Sequence, residues 1–189
     1  YKDNDLAARN VAGLMQKRGI SKGDRVLIIL PNSLEFVKIF YGCLYTGILA
    51  VPLHEPAGTK QIELYMETFL PTLKVSKPCL LIATTEMVDF LRNKLTTEQQ
   101  NIFAGLEIVS DKEILAEKNL EYTPPELHKN DTAYLQFTSG STGNKKGVVI
   151  SRSNVENYYN SIEGITKNVS FKSILITTEL IFDICIGDI

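Results

Sequence analysis

The residue types from Phe137 to Val148 could bind a polyphosphate. The run is Phe-Thr-Ser-Gly-Ser-Thr-Gly-Asn-Lys-Lys-Gly-Val, which holds three glycines, four hydroxyl side chains and two lysines. Glycines let backbone N–H groups come close to an anion, Ser and Thr hydroxyls add donors, and lysine adds a mobile positive charge. A strand-like run at residues 133–137 precedes the glycines, and Ser151, after the apolar residues 148–150, offers an N-cap for a helix. We therefore predict a polyphosphate-binding loop here.

The glycine spacing excludes two common nucleotide-binding loops. Val148 follows Gly147, where a Walker A loop has lysine and then Ser or Thr, and Gly140 with Gly143 lacks the Gly-x-Gly opening of a dinucleotide fingerprint. The run instead resembles the signature loop of the adenylate-forming (AMP-binding) superfamily, in which an aromatic residue is followed by Thr-Ser-Gly-Ser-Thr-Gly-x-Pro-Lys-Gly-Val. Lys145 stands where that family usually has proline, which would leave the loop looser but keep its phosphate-binding groups.

The resemblance continues through the first third of the chain and is weak over residues 55–130. The superfamily includes acyl-CoA synthetases, peptide-synthetase adenylation domains, fatty acyl-AMP ligases and luciferases. The matching stretches are Asp5-Leu6-Ala7, Gly19-Ile20-x-x-Gly23-Asp24-Arg25-Val26, Leu30-Pro31-Asn32-Ser33, Glu35-Phe36 and Gly47-Ile48-Leu49-Ala50-Val51-Pro52-Leu53.

A second segment bears on the substrate. Phe182-Asp183-Ile184-Cys185 resembles the Phe-Asp-x-Ser element of amino-acid-activating members, whose aspartate pairs with the α-ammonium group of the substrate. A carboxylate among apolar residues is costly to bury unless a cation pairs with it, and an amine would supply that cation. Cys185 replaces the usual serine. The alternative is that Asp183 caps a helix or points to solvent.

The resemblance implies ATP-dependent activation of a carboxylic acid, with an acyl-adenylate and pyrophosphate as products. ATP and Mg²⁺ are the implied cofactors, and the activated acyl group then passes to a carrier-protein phosphopantetheine or to CoA. The implied phosphate-binding residues are Thr138, Ser139, Gly140, Ser141, Thr142, Gly143 and Lys146. Asp183 is the implied substrate-binding residue. We predict no catalytic residue and no protein metal ligand within this stretch of chain.

The elements that position these residues alternate between strand and helix. Apolar spacing predicts a helix over residues 6–15 that ends at Gly19, a buried strand over residues 24–30, and a helix capped by Ser33 and ended by Gly47. The further predicted strands are 48–53, 79–83, 106–109, 133–137 and 173–177. The further predicted helices are 60–76, which Pro71 should kink or divide, 86–95 and 154–162. This alternation is typical of an α/β fold with mostly parallel sheets flanked by helices. We expect two lobes joined by a surface connection near residues 111–131.

Composition fits an ordinary globular protein. The 189 residues are 44% hydrophobic, the net charge is −2, and no apolar run is long enough to cross a membrane, so neither nucleic acid nor a membrane span is expected. Cys43, Cys79 and Cys185 each lie in an apolar context, which predicts buried thiols and fits a cytoplasmic location. His54 and His128 stand alone, and we expect them to be exposed or structurally bonded.

The leading hypothesis is part of an amino-acid-activating adenylation enzyme. The alternatives are activation of a fatty or aryl acid by the same fold, and a non-catalytic binding module that retains the fold. Later motifs of the superfamily, and its C-terminal domain with the adenylation lysine, do not occur in these residues. We therefore expect residues 1–189 to be an incomplete N-terminal, AMP-binding domain that does not catalyse adenylation by itself.

Overall fold

The computed structural model describes residues 2–56, 62–95, 97–138 and 146–166, which contain helices and strands in alternation. In chain order the elements are α1 (Lys2–Lys17), β1 (Arg25–Ile29), α2 (Leu34–Thr46), β2 (Leu49–Leu53), α3 (Ile62–Ser76), β3 (Leu80–Ala83), α4 (Thr85–Asn93), α5 (Thr97–Ile102), β4 (Glu107–Ser110), α6 (Asp111–Ala116), β5 (Thr132–Thr138), β6 (Lys146–Ser151) and α7 (Arg152–Thr166).

The strands of the described residues form one six-stranded sheet in the order β4-β3-β1-β2-β5-β6. Neighbouring strands in this order are parallel from β4 through β3, β1 and β2 to β5, and β6 runs antiparallel to β5. The predicted mixed α/β architecture with a mostly parallel sheet is therefore confirmed. The predicted strand at residues 173–177 lies outside the described residues, and the two-lobe division stays a prediction.

Both faces of the sheet are covered by helices, which explains why β1 is apolar at every position after Arg25. The first core cluster lies on the face of α1, α2 and α6 and comprises Val11, Leu14, Met15, Ile20, Val26, Ile28, Leu30, Phe36, Ile39, Phe40, Cys43, Ile48, Ala50, Leu80, Ile82, Val109, Ile114, Ala133 and Tyr134. The second core cluster lies on the face of α3 and α4 and comprises Leu27, Ile29, Val51, Met66, Phe69, Leu73, Leu81, Ala83, Met87, Val88, Leu91, Leu95 and Phe103.

The predicted limits of α2 are confirmed by its caps. The Ser33 side chain accepts a hydrogen bond from the N–H of Phe36 at 3.2 Å, which satisfies a donor that the first turn leaves open. At the other end Gly47 adopts a left-handed conformation with φ of 70°, so the chain turns directly into β2. Ser151 likewise caps α7, because its Oγ accepts a hydrogen bond from the N–H of Asn154 at 3.1 Å.

The structure adds one helix and decides one alternative. The surface connection predicted near residues 111–131 begins with the helix α6, which starts at a reciprocal capping box between Ser110 and Glu113. Of the kink or division predicted at Pro71, the division is wrong, because α3 continues past the proline to Ser76. Apolar residues before and after the proline, Met66 and Leu73 among them, are buried in the second core cluster, and their burial offsets the hydrogen bond that proline removes.

The remaining residues of the connection, 117–131, form a surface strap that is bonded to α1 and to the turn before β1. The Gln16 amide donates to the carbonyl of Thr123 at 2.7 Å and accepts from its N–H at 2.9 Å, as a neighbouring strand would. Lys22 Nζ lies 2.6 Å from Asp131 Oδ2 and donates to the carbonyl of Glu126 at 3.0 Å. The strap therefore leads the chain from α6 to β5 along a fixed path.

The prediction that the cysteines are buried holds for Cys43 and is wrong for Cys79. Cys43 is enclosed in the first core cluster, where burial raises the pKa of its thiol to about 12. Cys79 is exposed, because it immediately precedes β3 at the edge where the chain enters the sheet. Cys185 lies outside the described residues.

Candidate active site

The predicted phosphate loop joins the two strands of a hairpin. Strand β5 ends at Thr138 and β6 begins at Lys146, and these two residues are direct partners across the antiparallel ladder. The ends of the loop are therefore fixed within about 5 Å of each other, the spacing of paired strands. Residues 139–145 lie outside the described residues, so the positions of Ser139, Gly140, Ser141, Thr142, Gly143 and Lys145 stay predictions.

The mouth of this hairpin lies at the carboxyl edge of the parallel strands. Strand β5 is parallel to β2 through the pair Ala50 and Tyr134, so its last residue, Thr138, leaves the sheet at the same edge as the last residues of β1, β2, β3 and β4. In open α/β sheets, ligands bind in the crevice outside the carboxyl ends of the strands. The loop predicted to bind phosphate thus starts at the edge where such folds place ligands.

Lys146 presents a positive charge at this mouth. It is exposed, and within the part of the chain that the structure describes its side chain makes no hydrogen bond or ion pair. A lysine without a protein partner at the start of the strand can turn toward an anion held by the loop. Of the predicted phosphate-binding residues, the structure places only Thr138 and Lys146, and it places them opposite each other.

A polar contact joins two other strand ends at the same edge. Thr84, which follows β3 and caps α4, donates from Oγ1 to Oε1 of Glu55 beyond the end of β2, at 3.1 Å. Because β1 lies between β2 and β3, this bond crosses the carboxyl end of β1. Neither residue of this pair is among the site residues predicted from the sequence. The available signal was the position of each side chain directly after a buried parallel strand.

Tyr65 on α3 adds a hydroxyl near this contact. Its ring stacks on Phe69 with the ring centroids 5.8 Å apart. Burial raises the pKa of the Tyr65 phenol well above its usual range, and the negative charge of Glu55 raises it further. The phenol therefore stays protonated and neutral at physiological pH.

The hairpin also carries a cross-strand contact that the sequence analysis missed. Gly147 pairs with Phe137, and a Cβ built on Gly147 would lie 3.0 Å from the Phe137 Cζ and 3.4 Å from each Cε. The face of the ring therefore covers the glycine. The alternation of positions in a hairpin could have indicated this pair once the register was known.

The remaining sequence candidates do not gather into a further site. His54 and His128 are both exposed, in irregular segments, and no group of three His, Cys, Asp or Glu side chains in the described ranges could hold a metal ion. Asp183 lies outside those ranges, so its predicted contact with a substrate amine is still to be tested. None of the described helices is both long and apolar enough to cross a bilayer.

Comparison with known proteins finds one family profile and several relatives that match most of the chain. The profile of the family described as AMP-binding enzyme matches residues 1–188. A medium-chain fatty acid–acyl carrier protein ligase of Moorena producens is 32% identical over 159 residues, 82% of this chain and 26% of that protein. A 4-hydroxyphenylalkanoate adenylyltransferase of Mycobacterium marinum is 36% identical over 151 residues, 78% of this chain and 23% of that protein.

A solved structure shares the fold. The fatty acyl-adenylate ligase of Legionella pneumophila, in complex with acyl adenylate and pyrophosphate, superposes with a TM-score of 0.70 and 27% identity. The match covers 87% of this chain and 27% of that one. The chain thus spans about a quarter of the length of the proteins that it matches.

Proposed function

The chain belongs to the AMP-binding enzyme family, and from that premise we propose that the protein containing it activates a carboxylic acid with ATP. In the proposed reaction a carboxylate oxygen attacks the α-phosphorus of ATP. The bond from the α-phosphorus to the oxygen that bridges it to the β-phosphate breaks, and pyrophosphate leaves. The products are an acyl-adenylate and pyrophosphate, and the acyl group then passes to a thiol of CoA or of a carrier protein.

The observation that carries this proposal is the hairpin mouth. Its partner residues Thr138 and Lys146 bracket a loop rich in glycines and hydroxyls, at the carboxyl edge of the parallel strands. We assign Thr138, Ser139, Gly140, Ser141, Thr142 and Gly143 to the β- and γ-phosphates. Lys146 would offset the negative charge that builds on the departing pyrophosphate.

The residues at this mouth suit a nucleotide with its metal ion. The Lys146 side chain, which has no partner among the described residues, and the N–H and O–H donors of the loop sequence complement phosphate oxygens, which accept hydrogen bonds and carry negative charge. Mg²⁺ bound together with the nucleotide would neutralise part of the negative charge of the phosphates. The side chains of this chain would hold and orient the phosphates, which favours an in-line attack by restricting their motion.

For the substrate, we propose a fatty or aryl acid as the first candidate. The support comes from the relatives at 32% and 36% identity, whose names specify a medium-chain fatty acid and a 4-hydroxyphenylalkanoate. An amino acid is the second candidate, and the support is the Phe182-Asp183 pair, whose carboxylate could hold an α-ammonium group. In the same way, a carrier protein and CoA are both candidate acceptors.

The experiment is ATP–pyrophosphate exchange by the full-length protein that contains these residues, with separate pools of fatty, aryl and amino acids. We expect exchange in the presence of one pool. Lys146→Ala should lower kcat/KM about 100-fold because a charge that stabilises the transition state is lost. Lys146→Arg should retain part of the activity. Absence of exchange with every pool would contradict adenylation.

Asp183→Asn distinguishes the two substrate candidates. If an amino acid is the substrate, the variant should lose exchange with that pool, because an uncharged amide cannot balance the ammonium group. If a fatty or aryl acid is the substrate, exchange should continue near the wild-type rate. Exchange with an amino acid that is unaffected by Asp183→Asn would contradict the role assigned to Asp183.

A further inference from the structure

A glycine at position 147 is favoured by the limited space beside it and not by its backbone conformation. Its φ does not lie in the left-handed region that favours glycine. What a side chain would meet there is the Phe137 ring: an added Cβ would lie 3.0 Å from Cζ, closer than neighbouring atoms normally tolerate. The glycine therefore lets the ring lie flat against the backbone of β6.

The Phe137 ring connects this edge of the sheet to the core. On one side it covers Gly147, and on the other it packs against the second core cluster. At the loop end of β6, residues 146–149 are all exposed, with exposed fractions of 44% for Val148 and 60% for Val149. Strand β6 is also the last strand of the described sheet. Within the described residues, the loop end of β6 is thus held by its ladder to β5 and by this ring.

The contact lies one residue from the mouth of the loop. Gly147 directly follows Lys146, and Phe137 directly precedes Thr138, so the contacting pair and the mouth pair are adjacent rungs of one ladder. A displacement of the ring or of Gly147 would shift the backbone from which the Lys146 side chain extends. Because an ionic contact to a phosphate depends on distance, such a shift would weaken binding of ATP.

We propose that Phe137 and Gly147 are positioning residues, which set the place of Lys146 relative to the phosphates of ATP. This inference rests on the proposed function. Phe137→Leu removes the flat ring and leaves an apolar side chain for the core. Phe137→Tyr keeps the ring, since a hydroxyl on Cζ extends in the plane of the ring and away from the covered glycine. Gly147→Ala is a change on β6 whose added methyl group displaces the Phe137 ring of β5.

The test measures KM for ATP and kcat in pyrophosphate exchange, with thermal unfolding and amide hydrogen exchange of residues 146–148 on the same full-length variants. We expect Phe137→Leu and Gly147→Ala to raise KM for ATP about tenfold with a smaller change in kcat. Both variants should also speed hydrogen exchange at the backbone amides of residues 146–148. Phe137→Tyr should stay near wild type. Val149→Ala, on the exposed part of β6, is the matched control and should leave KM unchanged.

The outcomes separate the two proposals. Suppose that the wild-type protein catalyses pyrophosphate exchange and that Phe137→Leu and Gly147→Ala leave the KM for ATP unchanged. That result would overturn the positioning role and leave the proposed function in place, even if both variants melt at lower temperature. A wild-type protein that shows no exchange with any acid and no stabilisation by MgATP would overturn the proposed function and this inference with it. A KM for ATP that is raised in Phe137→Leu and stays near wild type in Phe137→Tyr supports the positioning role. A loss of folded protein alone would lower the apparent kcat and leave KM unchanged.

Discussion

Tyr45 on α2 shows how one side chain can join three segments of the chain. Its hydroxyl donates to Oδ1 of Asp5 on α1 at 2.7 Å, and its ring stacks on Tyr122 of the strap with the centroids 6.2 Å apart. Arg9, which forms an ion pair with Asp5 at 2.9 Å, lies over the same ring at 5.7 Å from its centroid. Burial, followed by the bond to Asp5, raises the pKa of Tyr45 to about 12.

This shift predicts how stability changes in alkaline solution. The folded protein holds the Tyr45 proton more tightly than the unfolded chain, so this contribution is complete below about pH 10 and is lost as the pH rises toward about 12. Tyr45→Phe should lower the free energy of unfolding by about 1 kcal/mol near pH 7, through the lost hydrogen bond. Its alkaline decline should be shallower than that of the wild type. Urea unfolding at a series of pH values measures both effects, and parallel alkaline declines would contradict the assignment.

Helices α1 and α2 approach closely at a glycine. A Cβ on Gly42 would lie 2.5 Å from Cγ1 of Val11 and 3.0 Å from the carbonyl oxygen of Ala8. Both Val11 and Ala8 are buried, so neither can move aside into solvent. In α7, by contrast, no atom of the described residues lies within 4 Å of a Cβ added to Gly164. The two glycines occupy helices, but only Gly42 is required by packing.

Alanine substitution at these two glycines should therefore have opposite effects. Gly42→Ala should lower the free energy of unfolding by about 1–3 kcal/mol, because the two helices must separate to admit the methyl group. Gly164→Ala should raise it by about 0.5–1 kcal/mol, since alanine favours the helix and meets no neighbour. Chemical unfolding of the two variants decides the matter. Equal effects of the same sign would show that packing at Gly42 is not limiting.

At the scale of the whole molecule, the first core cluster joins the hairpin to the rest of the sheet. Strand β5 pairs with β2 at the single position Ala50 and Tyr134. The Tyr134 ring also meets the edge of Phe40 with the centroids 5.5 Å apart, and Phe40 in turn stacks on Phe36 at 5.7 Å. The hairpin that carries the predicted phosphate loop is thus attached by side-chain packing as well as by its backbone pairing with β2.

Truncation of Phe40 should therefore affect the whole fold. Phe40→Ala should lower the free energy of unfolding by about 3–5 kcal/mol, the usual cost of removing a fully buried aromatic side chain. Leu34→Ala, in the same helix but with 58% of its side chain exposed, is the control and should change stability by less than about 0.5 kcal/mol. A similar small effect at both positions would contradict the central place of Phe40 in the core.

The local elements could be predicted from the sequence because their signals are local. Helix α2 begins at the Ser33 cap and ends at Gly47, and Gly19 follows the end of α1. Backbone geometry and hydrogen bonds among a few neighbouring residues fix these helix ends. Helix α6 was missed, although Ser110 and Glu113 form a capping box with the required spacing. Its six residues are too short to show a helical apolar pattern.

The sequence by itself determined the family, the α/β class, and the residue types of the predicted phosphate loop, because these depend on composition and order along the chain. Only the tertiary structure decided that Thr138 faces Lys146, that Phe137 covers Gly147, and that Glu55 meets Thr84 across the end of β1. Strand register and strand order depend on contacts between residues far apart in the chain. Such contacts follow from the packing of both core clusters at once, and a local sequence pattern does not predict them.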